Sequence, residues 1–399
     1  MNDISLELKE IAVNKKKYML NQHTYAALSN DDKNPLYNIS VSNNSFSIDI
    51  WKGCLLQCAY CHVQGCYGDL REDGNGNLTM NYKPERRNDS TISEIVESLI
   101  NYEGFINDYS PVSICTSSTE PFINEEITQS TIDIMLEFVK RGRKNPFWIV
   151  TKIGGIDQKW EPDIRKIIEN GNKLLISVCW TNNNIEIEPY HKNRFVNLSW
   201  MADSGVLINW YMRPLVKEWN ASFENIRYIM ETARATDIKF VSICTGGLRW
   251  TEGIEFALEC IHHIDMPELI KNDNEKTLSP EIEEYIEKLS GELFPDTPIF
   301  FRSCCALSHA FEIPNINLLQ FSADSHCDKC PAEQRKRCNA AKNAVTENID
   351  TISRIFNKDF TYSYSKYGYW KVNHNTSYSE RSIALKQISG FLFHLVSKE

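Results

Sequence analysis

The chain has 399 residues, 42% of them hydrophobic and 11% aromatic, enough to bury a core of enzyme size, read as one large α/β domain with an appendage. Its formal net charge of −10 and pI near 5.5 exclude the broad basic footprint on which non-specific duplex binding depends. No apolar run approaches the roughly 20 residues that span a bilayer, and Met1 to Lys17 is polar and charged rather than a signal peptide, so a cytoplasmic protein without a membrane partner is expected.

Residues 1–44 show little periodicity and read as an N-terminal arm with a short helix, ending in the polar turn Ser42-Asn43-Asn44. Ser45 to Ile50 then alternates strictly, as a half-buried strand does, and runs into a cysteine-rich loop. Residues 62–90, with Gly65, Gly68, Gly74 and Gly76, read as a long, mostly irregular loop. Thr91 to Glu94 matches a capping box, and Ile92, Ile95, Val96, Leu99 and Ile100 share one helical face.

The same unit recurs. Strands are predicted at 112–115, 147–150, 174–178, 206–211 and 239–243, with helices at 124–141, 162–170, around 191–203 and at 222–235 between them. Six strands alternating with five helices imply a parallel sheet, whose chemistry belongs at the carboxyl ends of its strands. Beyond about residue 250 the rhythm is lost. Helices near 252–263, 280–291, 343–356 and 380–397 surround a second cysteine group and read as a smaller, mostly helical, cysteine-rich extension. The expected division is therefore 1–44, 45–250 and 251–399.

Thirteen cysteines in a reducing compartment point to metal binding, catalysis or burial before disulfides. Cys54, Cys58 and Cys61 place three thiols within eight residues, close enough for one loop to wrap an iron-sulfur cubane. Three protein ligands leave one iron open for an exogenous ligand, as a catalytic metal site requires. A structural zinc loop or simple burial is the competing reading; zinc usually asks for four ligands in paired knuckles.

The C-x3-C-x2-C loop, with Tyr60 before its last cysteine and a position after the first strand of a six-fold βα series, resembles the radical S-adenosylmethionine (SAM) superfamily signature. That resemblance implies a partial (β/α)6 barrel, a 4Fe-4S cluster chelated by the amino and carboxylate groups of SAM, and a reducing donor such as flavodoxin or ferredoxin. Reductive cleavage of SAM then gives methionine and a 5′-deoxyadenosyl radical that abstracts hydrogen from the substrate. Cys115 to Phe122, Phe147 to Lys152, Ile176 to Val178 with Glu188-Pro189, and Tyr211 to Leu215 are similar to successive strand-end segments of the spore photoproduct lyase-like branch. By that resemblance Ser117 and Glu120 take the methionyl amino group, Lys152 the carboxylate and Ser177 a ribose hydroxyl, with Tyr60 and Arg213 in the same cofactor site.

Each of these residues has a plainer alternative: Glu120 capping the next helix, Lys152 as a solvated charge, Ser177 satisfying backbone. Cys115, Cys179 and Cys244 lie in or near alternate strands and could face the interior, where a thiol can return hydrogen to a product radical. Cys115 is the candidate for that catalytic role by resemblance, and a small buried hydrophobe is its alternative. His62 and Cys66 flank the cluster loop with no fixed role.

Cys304, Cys305, Cys327, Cys330 and Cys338 form a second group of five within 35 residues, and its C-x2-C pair is a metal-site signature. Cys327, Cys330, Cys338 and one of the neighbours Cys304 and Cys305 would supply four ligands. A second 4Fe-4S cluster is preferred to zinc, because the first loop already implies iron-sulfur loading. Spore photoproduct lyase lacks such a module, which weakens the transfer of its DNA substrate with the resemblance.

Tyr362, Tyr364, Tyr367, Tyr369 and Trp370 could stack bases, or form an aromatic hairpin packed on the body. A small metabolite or nucleoside-type substrate is the leading expectation. Repair or modification of nucleic acid by the same radical, and a non-enzymatic zinc protein, stand beside it.

Overall fold

The structure is a computed structural model that describes residues 27–42, 44–61, 70–72, 78–80, 83–116, 118–183, 187–188, 194–248, 278–317, 326–347, 363–364, 370–371 and 378–397, with isolated positions between 254 and 264. Eight strands form one sheet: β1 (Ile39–Val41), β2 (Phe46–Ile48), β3 (Val112–Ile114), β4 (Phe147–Thr151), β5 (Leu174–Cys179), β6 (Leu207–Leu215), β7 (Ser242–Gly247) and β8 (Ile299–Phe300). β1 pairs antiparallel with β2, and every later neighbour is parallel and in sequence order. The six expected strands are β2 to β7. Their order never reverses, so the sheet lacks the switch point of a doubly wound fold.

The edges differ from expectation. β1 comes from the stretch read as an N-terminal arm, and β8 from beyond residue 250. Strands of three and two residues are too short to show a period.

Five helices follow β2 to β6 in turn: α1 (Ile92–Ile100), α2 (Glu125–Lys140), α3 (Glu161–Glu169), α4 (Leu198–Asp203) and α5 (Phe223–Arg234). Thr91 and Glu94 close the expected capping box on α1, whereas α2 is capped by Asn124, which rules out Glu120 in that role. Alternation decides what each face of the sheet meets. Phe46, Ile114, Ile149, Ile176, Ile208 and Trp210 point into one core with Leu99, Phe138, Ile164, Met201 and Met230 of the helices. α6 (Pro280–Leu293) adds Ile286 and Leu289 to that core.

On the opposite face Trp148, Leu175 and Leu207 stand in register across β4, β5 and β6. They meet Cys304, Leu307, Ala310 and Phe311 of α7 (Ser303–Phe311), which fills this inner face. The segment beyond residue 250 thus supplies a sheet strand, an outer helix and the inner filling, where a separate module was expected. Polar side chains on the inner face are paired among themselves. Trp148 Nε1 and Asn209 Nδ2 donate to Ser177 Oγ at 2.9 and 3.0 Å, Ser242 Oγ donates to Asn209 Oδ1 at 2.9 Å, and Ser45 Oγ and Thr116 Oγ1 donate to Ser113 Oγ at 2.7 and 2.9 Å.

α8 (Ala332–Glu347) begins directly after Pro331, eleven residues before the helix expected at 343. Ser363–Tyr364 and Trp370–Lys371 pair antiparallel, which gives the aromatic run a hairpin backbone; Tyr362, Tyr367 and Tyr369 lie outside the described residues. Of the loop at 62–90, Leu70–Glu72 pairs with Leu78–Met80, and Glu85–Arg86 pairs with Trp51–Lys52. His62, Cys66 and most of the helix expected at 252–263 lie outside the described residues. Among the described residues no helix is long and apolar enough to cross a membrane.

α9 (Tyr378–Val396) closes against the β1–β2 edge and Tyr109, whose hydroxyl pairs with Ser389 Oγ at 2.7 Å. Lys386 is fully buried there, donating to the carbonyls of Ser42 and Ser382 with its Nζ 6.0 Å from the centre of the Phe46 ring. Burial pushes its ammonium down to about 7 from the 10.5 of a free lysine. Between those values the unfolded chain binds the extra proton, so stability should rise with pH from about 7 to 10.5. Urea unfolding across that range should show a slope approaching about 1.4 kcal/mol per pH unit that Lys386→Met removes; equal slopes in the two proteins would contradict it.

Candidate functional site

The cysteine loop leaves β2 through Asp49 and Ile50 and turns at Gly53, whose φ of +88° is a conformation that favours glycine. Cys61 N donates to Cys58 O at 3.0 Å to close its last turn, and Ala59 N donates to Ile187 O at 2.9 Å, tying the loop to the segment after β5. Leu56, Cys58 and Tyr60 bury themselves against Ile187, with Ile123, Ile153, Trp219 and Leu248 around them. Those neighbours follow β3, β4, β6 and β7. The loop therefore lies across the carboxyl ends of the parallel strands, where the sequence placed it.

Cys58 is buried, while Cys54 and Cys61 are partly open. Burial, then the charge of Cys61, pushes Cys54 up to about 12; burial does the same to Cys58, opposed by Lys152. A thiolate trio here needs positive charge, which an iron-sulfur centre supplies. Among the described residues no His, Cys, Asp and Glu side chains converge on a point as around a single metal ion. A cubane asks for something else, one thiolate at each of three separate irons. Three soft donors on one loop fit that group and leave its fourth iron open.

Beside the loop sits a buried charge network. Glu188 accepts from Tyr60 Oη, Lys152 Nζ at 3.0 Å, Asn183 Nδ2 at 3.3 Å and the Arg194 guanidinium. Lys152 Nζ also bonds Tyr60 Oη and lies 4.8 Å from the centre of its ring. Arg194 reaches on to the carbonyl of Cys179. Two cations share one carboxylate, and the surplus positive charge faces Cys58. Burial alone would lower Lys152, but Tyr60 and Cys58 hold it above the ordinary lysine value. Burial pushes the Tyr60 phenol up to about 12, against the pull of Lys152. Lys152 is thus an engaged ion-pair member rather than the solvated strand-end charge.

Gly154 and Gly155 make this network possible. Gly154 has φ +99°, and a Cβ there would stand 2.1 Å from the Arg194 carbonyl oxygen; one on Gly155 would stand 2.6 Å from Asn197 C. Only glycine lets the end of β4, carrying Lys152, approach the segment carrying Arg194 so closely. Gly154→Ala should cost more than about 2 kcal/mol, by left-handed strain plus a backbone clash. Chemical denaturation measures this, and a loss under about 0.5 kcal/mol would contradict the close approach.

Glu120 is buried, accepting from Thr151 Oγ1 and from Lys152 N at 2.9 Å, and burial pushes its carboxyl up to about 7 against those bonds. Ser177 is buried in mid-strand on the inner face, held by Trp148 and Asn209. Arg213 lies on the inner face of β6 with its guanidinium 5.2 Å from the centre of the Tyr211 ring. Ser117 lies outside the described residues. Cys115 is brought elsewhere. Its φ of +58° breaks the alternation just past the end of β3, and its thiol packs in the outer core with Thr131 of α2 as hydrogen-bond partner. Cys179 and Cys244 do stand on the inner face, level with Tyr211.

The cysteines of the second group are neighbours, with Cys304 beside Cys305, Cys305 and Cys330 in one cluster, and Cys330 near Cys327 and Cys338, although among the described residues they do not converge as around a single metal ion. Asn315 Nδ2 donates to Cys305 Sγ at 3.3 Å and Gln334 Nε2 to Cys338 Sγ at 3.4 Å, and Cys330 N closes on Cys327 O at 3.3 Å. Hydrogen bonds from Cys305, Asn315 and Asn317 pull the Cys304 thiol down, and Cys305 is pushed up by its bond to Cys304 and by burial. Cys305 and Cys330 pack beside Cys244 and Ala306, so the group adjoins the inner face at β7.

The network contains residues the sequence did not assign. Glu188 stood in the quoted Glu188-Pro189 pair without a role, while Arg194, Asn183 and the Gly154-Gly155 pair carried no separate signal. What the fold and site define is an α/β protein with a mainly parallel sheet and a three-thiol loop over its carboxyl ends. No protein-family model matches the chain, and no curated protein does. Among solved structures the chain is similar to Streptococcus suis SuiB bound to S-adenosylmethionine, with 13% identity and a TM-score of 0.40, over 68% of this chain and 53% of that one. The chain spans about half the length of that neighbour.

Proposed function

We propose that the chain is a radical SAM enzyme of the spore photoproduct lyase-like branch, built on a partial (β/α)6 barrel. The observation that carries this reading is the loop of Cys54, Cys58 and Cys61 lying over the carboxyl ends of the strands beside Lys152, Glu188 and Arg194. The cysteines would hold a 4Fe-4S cluster, which when bound supplies the electron that cleaves SAM. Glu120, with Ser117, would take the methionyl ammonium, whose charge would favour the carboxylate form that burial disfavours. The surplus charge of the Lys152 and Arg194 pair would meet the SAM carboxylate. Ser177 accepts two hydrogen bonds and keeps its own proton to donate to a ribose oxygen.

Cys304 or Cys305 with Cys327, Cys330 and Cys338 would hold a second 4Fe-4S cluster. A small metabolite or nucleoside-type molecule is the proposed substrate, with flavodoxin or ferredoxin as donor and the cytoplasm as the location. After anaerobic loading with iron and sulfide, dithionite and SAM should yield 5′-deoxyadenosine; a colourless protein carrying zinc and making none of that product would overturn the reading.

A further inference from the structure

We propose that Arg213 receives a carboxylate of the substrate, which lies along the inner-face row of Lys152, Cys179, Tyr211 and Cys244 between the two cysteine groups. This deepens the proposed function and rests on it. Cys179, Tyr211 and Cys244 are in register across β5, β6 and β7, and Lys152 directly follows β4 beside them. One end of the row meets the first cysteine loop through Lys152 and Tyr60. The other meets the second group through Cys244, which packs with Ala306, Cys305 and Cys330. A molecule held on this row would lie between the two groups.

Arg213 is the cation of the row whose charge is unspent. Its NH2 donates to the Gly247 carbonyl at 3.5 Å, its other neighbours are the Tyr211 ring and the Cys244 and Cys179 thiols, and among the described residues no carboxylate pairs with it. All of these are neutral partners, so the half-buried guanidinium keeps its positive charge for an incoming anion. By contrast Lys152 and Arg194 both pair with Glu188. The planar fork of arginine matches a carboxylate with two parallel bonds.

SAM is the other carboxylate in the reaction, and position argues against it. The amino-acid end of SAM must reach the first cysteine loop, where Lys152 and Arg194 are the cations that bear on Cys58. Arg213 bears on Cys179 and Cys244 instead, toward the second group.

Calorimetry on the full chain, loaded anaerobically with iron and sulfide, tests this with sodium malonate and inorganic phosphate as probes, each with and without saturating SAM. Malonate should bind more tightly than phosphate and to the same extent with SAM present. Arg213→Gln should weaken malonate about tenfold or more with SAM affinity within about twofold, and Arg213→Lys, which keeps the charge, should lose less. Competition between malonate and SAM, or parallel loss of SAM binding in Arg213→Gln, would give Arg213 to the cofactor and overturn the proposal. Malonate binding that is absent, unchanged by either variant, or weaker than that of phosphate would overturn it as well. A chain that binds malonate through Arg213 but never binds SAM would instead sink the radical reading and leave the carboxylate receptor standing.

Discussion

Cys58→Ala should lose the iron of the first loop and form 5′-deoxyadenosine at least about 100-fold more slowly than the wild type, exceeding the 10- to 100-fold cost of disturbing a group that merely supports a ligand. Cys58 is the most buried thiol of its loop, packed with Leu56, Tyr60 and Ile187, and its removal leaves two of the three thiolates. The comparison is with Cys338→Ala, which should lower iron content while leaving the first loop loaded. Iron and acid-labile sulfide per chain, measured beside 5′-deoxyadenosine, separate the two variants. Unchanged product formation by Cys58→Ala would remove the first loop from the chemistry.

The second large effect falls on stability. Glu188→Ala leaves the buried Arg194 and the half-buried Lys152 with like charge and no carboxylate between them, and removing one member of a buried pair costs about 3–5 kcal/mol. That is a large part of the roughly 5–15 kcal/mol that holds a domain together. Glu188→Gln keeps acceptors for Tyr60 and Asn183 but not the charge, and should fall between the wild type and the alanine variant. Urea unfolding of the metal-free proteins reads these differences without reference to catalysis. A loss under about 1 kcal/mol for the alanine variant, the scale of an exposed pair, would show that water already shares this network.

The repeating part of the fold was legible because each unit carries a short apolar run, an N-cap and a helical face, and these local signals agree with the long-range pairing. The boundaries of α1, α2 and α6 follow Thr91, Asn124 and Ser279 closely. α8 was misplaced because its first turns, from Ala332 through Arg337, are polar and show no apolar face. The thiols of the first loop were legible for a different reason: metal ligands supplied by one loop are close in sequence. The Glu188 network has no such advantage, since Tyr60, Lys152, Glu188 and Arg194 come from three separate loops that meet only in space. Cys115 shows the limit of alternation, which holds within β3 and fails one residue beyond it, at a left-handed φ of +58°.

The most direct test of the central claim is the electron paramagnetic resonance spectrum of the anaerobically loaded, dithionite-reduced protein before and after SAM is added. If Cys54, Cys58 and Cys61 hold a cluster with one open iron, SAM will shift the signal of a reduced 4Fe-4S centre, and Cys58→Ala will abolish that shift. A cluster signal in the wild type that is indifferent to SAM, or no iron signal with zinc bound at the loop, would contradict it.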